Sequence, residues 1–162
     1  MGKIVSINVS KNKGEKKTPV TEAFVDEHGI KGDGHSGKWH RQVSLLSYES
    51  IKELNKKGVS ADCGDFAENL TTRGIALNSL EVGDTLVISG TNNSISKDKP
   101  EDAAGNGKEV MLKVTQIGKE CPKPCRIYYL VGYCIMPKEG IFCQVLKPGK
   151  IKTGDNIFVV KN

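Results

Sequence analysis

The sequence predicts a mostly β, barrel-like fold with one or two short helices. The first strand candidate, "KIVSINVS", alternates apolar and polar side chains, which is typical of a half-buried strand. Two later segments, "LEVGDTLVIS" and "IKTGDNIFVV", share a Gly-Asp turn that leads into a short apolar strand, at Thr85–Ser89 and Asn156–Val160. Two such turns among many period-two patterns favour strand corners of a barrel over a tandem repeat.

The segments between these strands continue the pattern and add one clear helix. "PVTEAFVDEHG" and "RQVSLLS" are predicted to be further strands. Ser47 stands at the N-cap position ahead of "YESIKELNKKG", with Glu49 in the first turn and Gly58 after the last lysines. These start and stop signals predict a helix directly after Ser47.

A polar segment separates the first Gly-Asp strand from "EVMLKVTQIG". The stretch "GTNNSISKDKPEDAAGNGK" contains Ile95 as its one large apolar residue and has no aromatic residue. Such a stretch cannot bury enough apolar surface to order itself. We therefore predict a single domain over residues 1–162 with a mobile insertion at about residues 91–108.

Composition narrows the range of partners. The chain has 24 cationic and 19 acidic residues, and a formal net charge of +5 suits an anionic ligand without requiring nucleic acid. No apolar run approaches the roughly 20 residues of a membrane-spanning helix. The first residues also lack the apolar core of a signal peptide. We expect a cytoplasmic protein that binds neither a membrane nor nucleic acid.

Arginine and histidine are confined to a few places. Only three of the cationic residues are arginines, at Arg41, Arg73 and Arg126. The planar guanidinium suits phosphate and carboxylate groups better than a lysine does. All three histidines and the single tryptophan fall within residues 28–40, in one glycine-rich segment.

That segment, "GIKGDGHSGKWHRQVSL", places four glycines around Asp33 and His35 and then reaches Arg41. Glycine permits positive φ and a close approach of the backbone to a ligand. A surface hairpin with incidental histidines is the alternative interpretation. Zinc is disfavoured because His35 and His40 have no cysteine or acidic partner at a familiar interval. We favour a cradle for an anion or a cofactor.

A second polar motif is "GDFAENLTTRG". Its Asn69 and Thr71 could hydrogen bond to the edge of a ligand. Equally, Glu68 could pair with Arg73 on the surface, an interaction that contributes little. Residue types alone leave both interpretations open.

The cysteine-rich segment "GKECPKPCRIYYLVGYC" is the most informative. Five cysteines, an odd number, in a chain without a secretion signal argue for free thiols, metal binding or catalysis. The two prolines between Cys121 and Cys125 exclude an ordinary helix there. Arg126 would stabilise a thiolate at Cys125, and a thiolate is a nucleophile or a ligand for a soft metal.

The remaining cysteines offer alternatives. Structural zinc could be held by Cys121, Cys125, Cys134 and Cys143, although the paired C-x-x-C spacing of a strong zinc signal is missing. Within "GIFCQVL", Cys143 is better explained as a small buried hydrophobe. Cys63 is a poor nucleophile candidate because its acidic neighbours would raise the pKa of its thiol.

Three motifs in this order resemble a stand-alone MOSC domain, the family similar to the C-terminal domain of molybdenum-cofactor sulfurases: "GDGHSGKWHRQVSLL", "GDFAENLTTRGI" and "GKECPKPCRIYYLVGYCIMPKEGIFCQVLKPGKIKTGD". The resemblance extends over nearly the whole chain, and the insertion at 91–108 departs from the shorter connection of the family. It implies a barrel-like β fold and binding of the molybdenum cofactor (molybdopterin), a phosphate-bearing pterin dithiolene.

The resemblance also implies roles for particular residues. The molybdenum ligand of the related amidoxime-reducing proteins corresponds to Cys125, which we take as both the catalytic and the metal-binding residue. The family's asparagine in the motif resembling "AENL" corresponds to Asn69. The candidate cofactor-binding residues are His35, Arg41, Asn69, Thr71, Arg73 and Arg126, and the candidate auxiliary thiols are Cys121 and Cys134. We expect the three arginine-bearing segments to converge on one pocket with Cys125 at its metal end.

Three functions are compatible with these features. The first is a cofactor-binding protein that acts in cofactor sulfuration, sulfur carriage as a persulfide, or delivery. Its partners would be molybdenum cofactor biosynthesis proteins, a cysteine desulfurase or a client molybdoenzyme. The second is a small molybdenum-dependent reductase of N-hydroxylated compounds with a separate electron donor. The third is a zinc-stabilised binding module. The pyridoxal-phosphate desulfurase domain fused to some relatives has no counterpart here, so no pyridoxal phosphate is expected in this chain alone.

Overall fold

The computed structural model describes residues 1–91 and 108–162. The predicted insertion at 91–108 therefore lies, apart from its two end residues, outside the described residues. The strands are β1 Gly2–Val9, β2 Thr18–Val20, β3 Glu22–Asp26, β4 Gly29–Ile30, β5 Val43–Ser47, β6 Leu70–Arg73, β7 Thr85–Ser89, β8 Val110–Ile117, β9 Ile141–Lys147, β10 Gly149–Lys152 and β11 Asn156–Val160. The helices are α1 Tyr48–Lys56, α2 Arg126–Val131 and α3 Met136–Glu139, with a 3-10 turn at Leu77–Ser79.

Seven strands close into a barrel. Their order is β1-β6-β5-β9-β8-β7-β11, and the pairing of β11 with β1 closes the ring. Strand β2 extends the sheet beside β1, while β10, β3 and β4 form a separate small sheet. The prediction of a mostly β, barrel-like fold is confirmed.

The two Gly-Asp turns lead into neighbouring barrel strands. Strands β7 and β11 have the predicted bounds and pair antiparallel, with Ile157 opposite Ile88. Gly83 and Gly154, the glycines of the two turns, have φ of 106° and 93°. Positive φ is easily adopted only by glycine, which explains the shared pattern.

The predicted helix serves as a crossover. Strands β5 and β6 pair in parallel, and parallel neighbours require a long connection between them. Helix α1 supplies it, and it begins as predicted, with the Ser47 side chain accepting a hydrogen bond from the Ser50 N–H at 3.4 Å.

Helices α2 and α3 are short, and they bring the number of α-helices in the described residues to three, one more than the upper expectation. Helix α2 begins directly after Cys125, where the proline spacer has ended, and it ends at Gly132 with φ of 84°. No helix within residues 1–91 or 108–162 is long and apolar enough to cross a membrane.

Two apolar clusters hold the structure together. One fills the barrel and includes Leu45 and Leu112; the other, outside it, includes Leu46, Phe66 and Phe142. Leu45 and Leu46 belong to different clusters because successive strand residues point to opposite faces. Each such side chain stabilises the fold by about 1.5–3 kcal/mol when fully buried. The outer cluster packs the helices against the barrel wall.

Candidate functional site

A pocket beside the outer cluster gathers cationic and aromatic side chains. Its volume is about 190 Å³. We call it the cationic pocket, and its lining residues are Lys13, His35, Trp39, Arg41, Ser44, Phe66, Ala67, Lys119, Met136 and Phe142. Three of these residues have basic side chains and none has a carboxylate.

The cations of the pocket lie against aromatic rings. Lys13 Nζ is 4.2 Å from the Trp39 ring centroid, and Arg41 Cζ is 4.7 Å from the same centroid. Arg41 Cζ is also 5.7 Å from the centroid of Phe142. Within the described residues, no carboxylate oxygen lies within 4.0 Å of Lys13, Arg41 or Lys119. Because the Arg41 Nε is buried without a hydrogen-bond partner, this guanidinium retains donor capacity for an anion.

The glycine-rich segment forms one wall of the pocket through His35, Trp39 and Arg41. Trp39 Nε1 donates a hydrogen bond to the His35 carbonyl oxygen at 2.8 Å, which fixes the indole across the loop. A Cβ atom at Gly34 would lie 2.7 Å from the Lys11 carbonyl oxygen. The close backbone approach permitted by this glycine is therefore made to the loop that carries Lys13.

His35 lines the pocket and contacts a buried ion pair. Its Nδ1 is 3.0 Å from Lys17 Nζ, which in turn lies 2.6 Å from Asp33 Oδ1. Burial and the Lys17 charge lower the pKa of His35 to about 4, although Asp33 opposes them. The imidazole is therefore neutral at physiological pH.

Asn69 and Thr71 do not line the pocket, and the expectation that they bind a ligand is not supported by their positions. Both are fully buried. Asn69 Oδ1 accepts a hydrogen bond from the Ser44 N–H at 3.1 Å, so Asn69 holds a residue that does line the pocket. Thr71 donates to Glu68 Oε1 at 2.9 Å. The alternative of a surface pair between Glu68 and Arg73 is wrong, because Glu68 is fully buried.

The expected convergence of three arginines is wrong. Only Arg41 lines the cationic pocket. Arg73 is exposed at the end of β6, opposite Lys3 of β1, and Arg126 is exposed at the first position of α2. The cations that join Arg41 are Lys13 and Lys119.

The cysteine segment shares a wall with the pocket. Cys125 is the N-cap residue of α2, and both Cys125 and Cys134 are partly buried against the outer cluster. That cluster contains Phe66, Met136 and Phe142 of the pocket lining. Cys125 itself is not a lining residue, and Cys121 is exposed.

Electrostatic coupling links the thiols to the pocket. Burial raises the pKa of Cys134, the nearby Cys125 and Cys121 raise it further, and Lys119 lowers it. Lys119 also contributes to the lowered pKa of His35. The cysteine-rich segment and the glycine-rich segment therefore both lie near Lys119.

The four cysteines of the zinc alternative do not converge. Cys143 is fully buried in the barrel, as the sequence predicted, and this burial raises the pKa of its thiol. Within the described ranges, the only group of three ligand-bearing side chains within metal-binding distance is Asp26, Glu27 and His28. The zinc alternative has no geometric support from these residues. Burial, followed by Glu68 and Asp62, raises the pKa of Cys63, in the predicted direction.

Sequence reasoning missed Lys13, Lys119 and Trp39 as members of the site. Lysine is spread along the whole chain, so no local pattern distinguishes these two. Trp39, as the only tryptophan in the chain, was the signal that could have been used.

A scan against family models matches residues 32–158 to the MOSC domain. The match covers most of the chain, and the protein belongs to the MOSC domain family. It includes all the candidate site residues except Lys13, and its description names no ligand or reaction.

Solved structures show the same fold. The YUAD protein from Bacillus subtilis is 21% identical with a TM-score of 0.72, covering 98% of this chain and 96% of that one. YiiM from Geobacillus stearothermophilus is 22% identical with a TM-score of 0.66, covering 99% and 76%. YiiM from Escherichia coli is 18% identical with a TM-score of 0.65, covering 100% and 71%. No curated protein matches the chain.

Proposed function

We propose that the protein binds the molybdenum cofactor in the cationic pocket and acts in cofactor sulfuration, sulfur carriage or delivery. The observation that carries the proposal is a set of three cations that have no carboxylate partner among the described residues and lie next to two partly buried thiols. Uncompensated cations in a recessed site attract an anion. Thiols beside them suit a ligand that is both anionic and soft.

The residues present fit the chemistry of this cofactor. Lys13, Arg41 and Lys119 would hold its phosphate. The rings of Trp39 and Phe142 offer flat apolar surfaces to a pterin. A thiolate is a suitable ligand for molybdenum, which binds soft donors, and Cys125 would supply it. When bound, the cofactor provides a soft metal centre that accepts sulfur ligands.

The chain would contribute a sulfur-accepting thiol. In the proposed step the Cys125 thiolate attacks the outer sulfur of a persulfide on a cysteine desulfurase. The bond between the two sulfurs of the donor breaks, and the donor cysteine leaves as a thiolate. Cys125 would then carry the persulfide, and Cys134 and Cys121 are the candidate thiols to resolve it. The recipient would be the bound cofactor or a client molybdoenzyme.

Cofactor binding is tested by metal and pterin analysis of protein purified from a host that makes the cofactor. We expect molybdenum and pterin together in the wild type and their loss in Arg41→Met. Lys150→Met is the matched control, because Lys150 is an exposed lysine that pairs with Glu22 on the small sheet. Wild-type protein that carries neither molybdenum nor pterin would overturn the proposal.

Sulfur transfer is tested by intact mass spectrometry after incubation with a cysteine desulfurase and cysteine. We expect one added sulfur atom that maps to Cys125. If the loaded protein instead reduces a hydroxylamine with a separate electron donor and Cys125→Ala abolishes that activity, the reductase function is assigned.

A further inference from the structure

Lys17 is a fully buried lysine that lies beneath His35 and lines no part of the cationic pocket. Its Nζ lies 2.6 Å from Asp33 Oδ1, 3.1 Å from Ser10 Oγ and 3.0 Å from His35 Nδ1. An ammonium group has three N–H donors and no acceptor. The three neighbours therefore match its three donors.

The surrounding hydrogen bonds fix the direction of each of these contacts. Ser10 Oγ donates its own proton to the Asn12 carbonyl oxygen at 2.9 Å, so it accepts from Lys17. Asp33 is an acceptor throughout, since it also receives the N–H groups of Ser10 at 3.1 Å and His35 at 3.0 Å. The third N–H of Lys17 is left for His35 Nδ1, which must then be the acceptor.

We infer that Lys17 is a positioning residue that sets the hydrogen-bonding character of His35 in the pocket. With Nδ1 engaged as an acceptor, the ring proton resides on Nε2, and His35 offers its ligand an N–H donor. The positive charge of the pocket then comes from Lys13, Arg41 and Lys119 alone. The inference deepens the proposed function and rests on it only for the identity of the ligand, an oxyanion with an acceptor facing His35.

The charges around His35 agree with this arrangement. Burial first, and then Lys17, Lys13 and Lys119, lower the pKa of the imidazole, while Asp33 raises it. Burial lowers the pKa of Lys17, and the Asp33 carboxylate opposes that change. The hydrogen bond from Lys17 lowers the pKa of Asp33 although burial acts in the other direction. The ring therefore stays neutral over the range of about pH 5 to 8 in which an ordinary histidine titrates.

The test is a long-range ¹H–¹⁵N correlation spectrum of histidine-labelled protein, recorded at several values over this pH range. His35→Gln identifies the signals of His35. We expect the pattern of a neutral ring protonated at Nε2, with nitrogen shifts that do not move with pH. A ring protonated at Nδ1, which would mean a neutral Lys17 amine accepting from His35, overturns the inference. So does a ring that titrates within the range.

Lys17→Met removes the hydrogen bond to His35 Nδ1 and is designed to keep the ring buried. It leaves the Asp33 carboxylate without its partner beside His35, so we expect the pKa of the ring to rise from about 4 although burial still opposes the charged form, and the ring to titrate within this pH range. Lys16→Met is the matched control, because the Lys16 side chain is 41% exposed and lies 3.8 Å from Asp65; the His35 signals should not change. An unchanged His35 in folded Lys17→Met contradicts the inference. If Lys17→Met does not fold, the wild-type spectrum alone decides. The spectra need no cofactor. A failure of this inference can therefore be distinguished from a failure of the protein to bind molybdenum.

Discussion

Two cavities of the described residues differ in size and in the charge that they leave uncompensated. The second cavity, which we call the larger cleft, has a volume of about 730 Å³, against about 190 Å³ for the cationic pocket. The larger cleft is lined by Ser47, Glu49, Ser50, Gly74, Ile75, Ala76, Leu77, Asn78, Ile117, Lys138, Glu139 and Ile141.

The larger cleft combines carboxylates with a lysine, and one of its carboxylates, Glu49, is already hydrogen-bonded. Glu49 Oε1 accepts the Gly74 N–H at 2.8 Å, and Glu49 Oε2 accepts the Ser47 hydroxyl at 2.8 Å. Its lining contains one lysine, Lys138, and two carboxylates, Glu49 and Glu139. The lining of the cationic pocket, by contrast, contains two lysines and an arginine and, among the described residues, no carboxylate. The smaller cavity is therefore the better candidate for an anionic ligand, because uncompensated charge in a recess, and not volume, attracts it.

The largest expected effect is the loss of the Cys125 thiol. Cys125→Ala should abolish the sulfur adduct entirely. Cys134 is the other partly buried thiol that packs against the outer cluster beside the pocket, and its raised pKa disfavours the thiolate. Intact mass spectrometry after incubation with a desulfurase measures the adduct. Cys63→Ser is the control and should keep the adduct. If Cys125→Ala carries the adduct at the full level, Cys125 is not the sulfur acceptor and this part of the proposed function is wrong.

The next largest effect is expected for Arg41→Met, which tests whether the anion binds in the cationic pocket. Arg41→Met keeps an apolar chain against Trp39 and Phe142 but removes charged hydrogen bonds, each of which contributes about 1.5–3 kcal/mol. We expect the affinity for the phosphate-bearing cofactor to fall roughly 10- to 100-fold, as measured by fluorescence titration.

Arg73→Met is the matched control for that measurement. Arg73 is exposed and adjoins Gly74 of the larger cleft, so its removal should leave the affinity within about twofold of the wild type. Equal losses in both variants would show that the anion is not confined to the cationic pocket.

The sequence predicted the barrel more completely than the site because the two depend on different information. Strands β7 and β11 follow from local patterns, since a Gly-Asp turn and alternating side chains specify them without reference to the rest of the chain. The set of cations in the pocket depends on which loops meet in space. Lys13 follows β1, and Lys119 follows β8, so no spacing in the sequence relates them.

Asn69 shows the same limit in another form. Its polarity and the resemblance suggested contact with a ligand, yet its side chain binds the backbone of Ser44 and Asn8. In the sequence, an asparagine whose buried amide joins two strands cannot be distinguished from an asparagine whose amide binds a ligand. Only the tertiary arrangement separates them, because both satisfy the rule that buried polar groups find partners.

Backbone strain also marks the cationic pocket. Ala67, one of its lining residues, has φ of 63°, and it is the only residue other than glycine with positive φ among residues 1–91 and 108–162. This conformation costs an ordinary L-residue about 1–2 kcal/mol. Ala67→Gly removes that cost but makes the unfolded chain more flexible, which offsets part of the gain. We expect the free energy of unfolding to rise by about 0.5 kcal/mol, measured by urea denaturation.

Ala61→Gly provides the comparison for Ala67→Gly. Ala61 is buried in the outer cluster and does not have positive φ, so the same substitution should lower stability, by about 0.5–1 kcal/mol. Destabilisation of similar size in both variants would mean that the left-handed conformation of Ala67 stores no strain.

The smallest expected effect lies in the larger cleft. Burial alone would raise the pKa of Glu49, but the hydrogen bonds from Gly74 and Ser47 and the charge of Arg73 bring it below the ordinary value of 4.5. A lowered folded-state pKa means that the ionised carboxylate stabilises the fold above about pH 4.5, and that this contribution is lost as the pH falls through the folded value. Because Glu49 is exposed to solvent, we expect Glu49→Gln to cost only about 0.5 kcal/mol at neutral pH.

Urea denaturation at a series of pH values measures that difference, which should disappear in acid. Glu139→Gln, at another carboxylate of the same cleft, is the control, because the Glu139 side chain has no hydrogen bond within the described residues. A loss of stability in Glu49→Gln that is independent of pH would assign the effect to altered packing. The hydrogen bonds to Glu49 would then not stabilise its charge, and the contrast between the two cavities would rest on the cations that line the cationic pocket.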